Sequence, residues 1–143
     1  MGTSRYNRWQ GLAISQFSVA IALISGWSLS GLGVCFALVQ SDKLIITEMV
    51  KPFLLAAFIC FFVAAIFCCI AVLTRTIDFR LTARKIRLKE YPEYKNKLTI
   101  FLIDSNQYGK LSWASFWLSF VSFLTGGAAI AVSVFHLFSG KLT

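Results

Sequence analysis

The side chains in this sequence best placed to act together are hydroxyls. Ser112, Ser115, Ser119, Ser122, Gly126, Ala129, Ser133 and His136 recur at alternating steps of three and four residues. That heptad rhythm keeps one helix face in line over the whole stretch. Two kinds of chemistry suit such a face. Small residues let helices approach closely and hydrogen-bond, while hydroxyls can line an aqueous or gated path without buried charge. A second stripe, Gly11, Ser15, Ser18, Ala22 and Ser25, has the same rhythm, and Ala57, Cys60, Ala64, Cys68 and Ala71 follow at comparable intervals. On the packing reading, the long stripe meets the second stripe or its own copy. On the path reading, Ser112, Ser115, Ser119 and Ser122 line a pore in an oligomer.

Other chemistry finds little to work with. Cys35, Cys60, Cys68 and Cys69 all fall in apolar stretches with no CxxC spacing and no Cys/His cluster, so they read as small hydrophobes rather than metal ligands or disulfides. His136 has no acid or nucleophile beside it in sequence. It reads as an interface residue, with a pH-sensing role as the alternative. Phosphate-binding glycine loops, HExxH and GxSxG are missing, as are the intramembrane carboxylate pairs of proton-coupled transport. The expectation is a protein that is not an enzyme and takes no metal or cofactor.

The elements that position the stripes follow from where charge is missing. Residues 11–40 and 52–74 contain no Asp, Glu, Lys, Arg or His, and 111–140 contain only His136. Each run exceeds the roughly 20 helical residues needed to cross a bilayer core. With 57% hydrophobic residues sorted this way over 143 positions, a soluble fold, a disordered tail and a disulfide-built module are excluded. The prediction is an all-α integral membrane protein with spans at about 11–36, 52–74 and 111–138, forming one membrane domain over 1–143. Arg5 and Arg8 precede the first run as a signal peptide's n-region would. The run is longer than a cleavable h-region of about 7–15 residues, so a retained span is expected.

Charge gives the orientation. Arg5 and Arg8 lie before span one, and nine of the 14 basic residues lie between 75 and 110. Three spans put those two segments on the same side, leaving Lys43, Lys51 and Lys141 opposite. The positive-inside rule makes the basic side cytoplasmic and the C-terminus external, as in a bacterial inner membrane. Trp9, Tyr108, Trp113 and Trp117 fall at the same boundary, as an aromatic belt does. The net charge of +8 is therefore a juxtamembrane charge suited to anionic lipid. No nucleic-acid-binding module accompanies it, so the lipid bilayer rather than nucleic acid is the expected partner.

Residues 75–91 lack Gly and Pro and can extend span two as a helical stalk. Its apolar residues form two stripes, Ile77, Leu81 and Leu88 against Phe79, Ala83 and Ile86. An upright helix with two apolar stripes needs two packing partners, whereas an interfacial helix lying flat has one broad face. Pro92 ends or bends the stalk. Tyr94, Leu98, Phe101, Leu102 and Ser105 then recur at helical spacing. The prediction is a cytoplasmic helical hairpin over 75–110, turning at 91–96, whose return helix covers one stripe. A neighbouring copy covers the other, which makes a homo-oligomer the expected assembly. Arg80, Arg84, Lys85, Arg87 and Lys89 would meet lipid or a protein partner there.

The run from Ile77 to Arg87, IDFRLTARKIR, resembles the juxtamembrane signature of small bacterial inner-membrane proteins. The layout of residues 50–100 is similar to that of the SLATT family, with spans followed by a basic helical stalk, although this chain adds a third span. The resemblance implies a membrane effector of the kind that accompanies nucleotide-signalling and reverse-transcriptase defence systems and perforates the host membrane. The leading expectation is therefore a homo-oligomeric, channel-like or membrane-perturbing effector gated through its basic hairpin. The alternative is a non-conducting subunit, anchor or immunity-type protein that binds another protein through its small-residue seams.

Overall fold

A computed structural model describes residues 2–41, 49–90 and 105–139, and all of its regular structure is helical. Three helices follow one another: α1 (Gly2–Gln40), α2 (Lys51–Glu90) and α3 (Ser105–Ser139). Each contains a segment long and apolar enough to cross a membrane, at Ile14–Gln40, Lys51–Arg84 and Gln107–Ser139. They run up, down and up. Ile21 and Ile24 lie level with Cys68 and Ala71 and with Phe116 and Phe120, while Cys35 lies level with Leu54, Ala57 and Ile130. The start of α1, the end of α2 and the start of α3 thus share one end, called here the basic end.

The length of α2 follows from its composition. Pro52 stands in the first turn, where its missing N–H costs nothing. No Gly or Pro follows until Pro92, and the helix stops at Glu90, two residues short of it. Forty residues of α-helix extend about 60 Å, twice the roughly 30 Å hydrocarbon core. Span and stalk are therefore one rod. The turn expected at 91–96 and most of the return helix, including Tyr94, Leu98, Phe101 and Leu102, lie outside the described residues.

The distribution of side chains is inverted relative to a water-soluble bundle. Ser28, Ser112, Ser119, Ser133, Ala57, Ala64 and Ala71 are wholly buried, whereas Trp27, Leu29, Leu73, Phe135 and Phe138 face outward. A bulky apolar exterior around a small-residue interior fits helices surrounded by lipid. From Val50, just before α2, the buried positions run through Leu54, Ala57, Phe61, Ala64, Cys68 and Ala71, with Thr74 and Leu81 beyond. As far as Ala71 they step by four and three residues, the rhythm of left-handed helix crossings.

Phe61 fixes the middle of the bundle. Its ring lies between Gly31 of α1 and Gly126 of α3: a Cβ on Gly31 would fall 2.8 Å from the ring, and one on Gly126 3.2 Å from it. Both glycines are needed for close approach. The side chain is 3% exposed, so the ring cannot retreat from either neighbour. Gly31→Ala should lower stability by about 1–3 kcal/mol through overpacking, and adding Phe61→Leu should recover part of that loss. Unfolding of the single and double variants in detergent micelles measures the coupling.

Candidate functional site

The long stripe on α3 is an interior feature. Ser112, Ser115, Ser119, Gly126 and Ser133 are buried, Ser122 and Ala129 are half-buried, and His136 is exposed at the far end. The surface covering them is α2. Gly126 sits against Cys60 and Phe61, and the Ser112 hydroxyl donates to the Ala71 carbonyl at 3.4 Å. The stripe predicted to meet span one or its own copy therefore meets the neighbouring helix of the same chain. The physical reason is fit, since α2 is the helix whose buried face alternates alanine and cysteine with larger groups. Cys60 belongs to that face only in part, because Phe61 takes the central position.

Three buried hydroxyls are satisfied by the backbone of their own helix. Ser119 donates to the Phe116 carbonyl and Ser133 to the Ala129 carbonyl, each at 2.8 Å. Ser28 on α1 does the same with the Ile24 carbonyl at 2.7 Å. Hydroxyls tied to their own backbone and covered by a second helix do not face a water-filled path. A pore lined by Ser112, Ser115 and Ser119 would require α3 to leave α2.

The second stripe has the opposite fate. Gly11, Ser15, Ser18 and Ala22 are exposed and Ser25 is half-buried. Ser18, Ala22 and Ser25 form one wall of a groove of about 580 Å³ between α1 and α2, with Cys69, Val72 and Leu73 on the opposite wall and Arg75 lining it as well. Phe17, which also lines the groove, packs its ring against Trp113 and Phe116 of α3, with centroids 5.1 and 5.0 Å apart. α1 thus meets α3 through aromatic rings and packs on α2 through Ile21 and Ile24 against Cys68 and Ala71, leaving the groove open where Ser18, Ala22 and Ser25 are small.

Of the two apolar stripes expected on the stalk, Ile77 and Leu81 of one and Phe79 and Ala83 of the other have described side chains, while those of Leu88 and Ile86 lie outside the described residues. Leu81 is 1% exposed and Tyr108, early in α3, is 4% exposed, and Gly109 lies beside Asp78. The start of α3 therefore covers the Ile77–Leu81 stripe. Phe79 and Ala83 remain open. Arg80 and Arg84 flank them and are exposed, while Lys85, Arg87 and Lys89 lie on the last turns of α2, where only the backbone is described. Arg75 sits where stalk and span meet. Its guanidinium lies over the rings of Phe17 and Phe79 at 5.4 and 4.9 Å and 3.6 Å from the Asp78 carboxylate. This cation between two aromatic rings is a feature the sequence reading missed; the signal was Phe79 one turn beyond Arg75, but Phe17 is distant in sequence.

Among the described residues, no three His, Cys, Asp or Glu side chains come together as metal ligands, and the four cysteines are free thiols. His136 lies near Phe53 of α2, with ring centroids 6.4 Å apart. Compared with known proteins, the chain matches no family model, no curated protein and no solved structure.

Ser119→Leu should cost about 1–3 kcal/mol, because the added volume has no room against α2. Ser112→Ala should cost less than about 1 kcal/mol, the scale of one interhelical hydrogen bond in a membrane. Detergent unfolding curves of the two variants check the order.

Proposed function

We propose that this chain is a non-conducting membrane subunit of a bacterial inner membrane that anchors a partner protein through its cytoplasmic stalk. The observation that carries the reading is the open face of α2, where Phe79 and Ala83 lie exposed with Arg80 and Arg84 along one flank, on a helix continuous with span two. An apolar strip flanked by arginines suits a partner surface that is apolar at its centre and acidic at its rim. The excess of basic residues at this end supports its cytoplasmic placement. Enclosure of the α3 hydroxyls by α2 supports a packing role for that stripe rather than conduction.

A second reading draws on the exposed stripe of α1. A homo-oligomeric channel-like effector would place its path between chains, lined by Gly11, Ser15, Ser18, Ala22 and Ser25 rather than by the stripe of α3. Ion efflux from liposomes separates the two: the subunit reading expects no flux above that of protein-free vesicles, and sustained flux would overturn it.

The anchoring role has its own test. Reversing both Arg80→Glu and Arg84→Glu should weaken capture of the cytosolic partner by about tenfold or more while insertion into membranes is unchanged. Equal recovery of the partner by wild type and variant would sink the stalk as its contact.

A further inference from the structure

We propose that the α1–α2 groove holds one acyl chain of an anionic phospholipid from the leaflet at the basic end, with its phosphate held by Arg75. The proposal rests on the helices spanning a bilayer but not on the stalk binding a protein.

The shape of the groove comes first. Along α2 it runs from Cys68 past Arg75 to Phe79, and the part before Arg75 is about 10 Å long at 1.5 Å per residue, some two-thirds of a leaflet of about 15 Å. It therefore takes the headgroup-proximal part of one acyl chain. Ser18, Ala22 and Ser25 make it by being small, and Cys69, Val72 and Leu73 give it an apolar opposite wall. The lining is mainly apolar, interrupted by Ser18, Ser25 and Thr76 and bordered by Arg75, and the Ser18 and Thr76 hydroxyls are bonded to their own helices. An alkyl chain with one anionic end has the same division.

The charge at that end is incompletely matched. Arg75 is the first charged residue after the uncharged run 52–74, and Asp78 is the only acid between 52 and 89, against Arg75, Arg80, Arg84, Lys85, Arg87 and Lys89. The Arg75–Asp78 contact is 3.6 Å, longer than a charge-assisted hydrogen bond of about 2.7–2.9 Å. The Nε of Arg75 is buried with no acceptor among the described residues, and 24% of the side chain remains exposed. The guanidinium carbon stands over the rings of Phe17 and Phe79, and the exposed quarter of the side chain is the part an oxyanion can reach. A guanidinium edge matches two phosphate oxygens in geometry as well as charge. Arg80 and Arg84, exposed farther along the helix on other faces, add to the positive field at this end. A choline headgroup would bring a cation into that field. Charge therefore selects the anionic lipid.

The experiment uses the full chain purified in mild detergent, after a flotation assay has shown that each variant inserts into liposomes. Phosphatidylglycerol and phosphatidylcholine of matched chains are titrated in, and lipids retained per protein are counted by native mass spectrometry. Wild type should retain one phosphatidylglycerol with a preference of about tenfold over phosphatidylcholine, a ratio that one charge-assisted hydrogen bond supports. Arg75→Gln should abolish the preference, and Arg75→Lys should keep part of it. Ala22→Trp should displace the lipid by filling the groove while Arg75 stays in place. Equal retention of the two lipids by wild type, or an unchanged preference in Arg75→Gln, overturns the proposal. So does a lipid-free dimer that cross-links through Cys69 of the groove, because a second copy would then be the occupant. Failure to float overturns the membrane reading instead, and partner capture by the stalk is scored separately.

Discussion

Helices long and apolar enough to cross a membrane would gain little there by hiding apolar surface from one another, and it is close fit that joins this bundle. The fit is centred on Phe61. A large ring between two glycines on different helices is in contact along two opposite edges, and each van der Waals pair is weak while their number is large. Above and below it, alanine, cysteine and serine let α2 and α3 approach along their length. The tight α2–α3 pair and the outward placement of bulky side chains both follow from this arrangement.

It also explains why α1 is less enclosed. Its buried side chains within the described segment are Ile21, Ile24, Ser28 and Cys35, and its firmest ties are the notch at Gly31 and the rings of Phe17 and Trp27, the latter 6.1 Å from Phe123 between centroids. Small residues beside a neighbour close a gap, but small residues beside nothing create one. On α3 the heptad of serines produces an interface. On α1 the same rhythm produces a groove, because the aromatic anchors turn that stripe away from the core.

Much of this architecture was legible in the sequence. Absence of charge located the three helices, and the lack of Gly and Pro beyond Pro52 announced the continuous rod of α2. The two stripes of the stalk were also readable, since Leu81 and Phe79 lie on different sides of one helix. Pairing of the seams was not. Following only small residues selected Cys60 on α2, whereas the buried face continues through Val50, Leu54 and Phe61, which differ in size but share the rhythm. Choosing a partner for the α3 stripe required knowing that a phenylalanine, rather than another small residue, sits opposite Gly126. The site at Arg75 was hidden for a similar reason, because Phe17 reaches it only after α1 and α2 have packed.

The continuity of α2 has a mechanical meaning. Phe61 is clamped at two opposite edges, about 15 Å from the helix start and about 44 Å from its end at Glu90. A stiff rod held at that point is a lever with arms in a ratio of about three. Tilting its short arm would sweep the far tip through about three times the distance. Bilayer thickness is one influence that sets helix tilt, so in a membrane this geometry would turn small changes of thickness into larger displacements of the basic end.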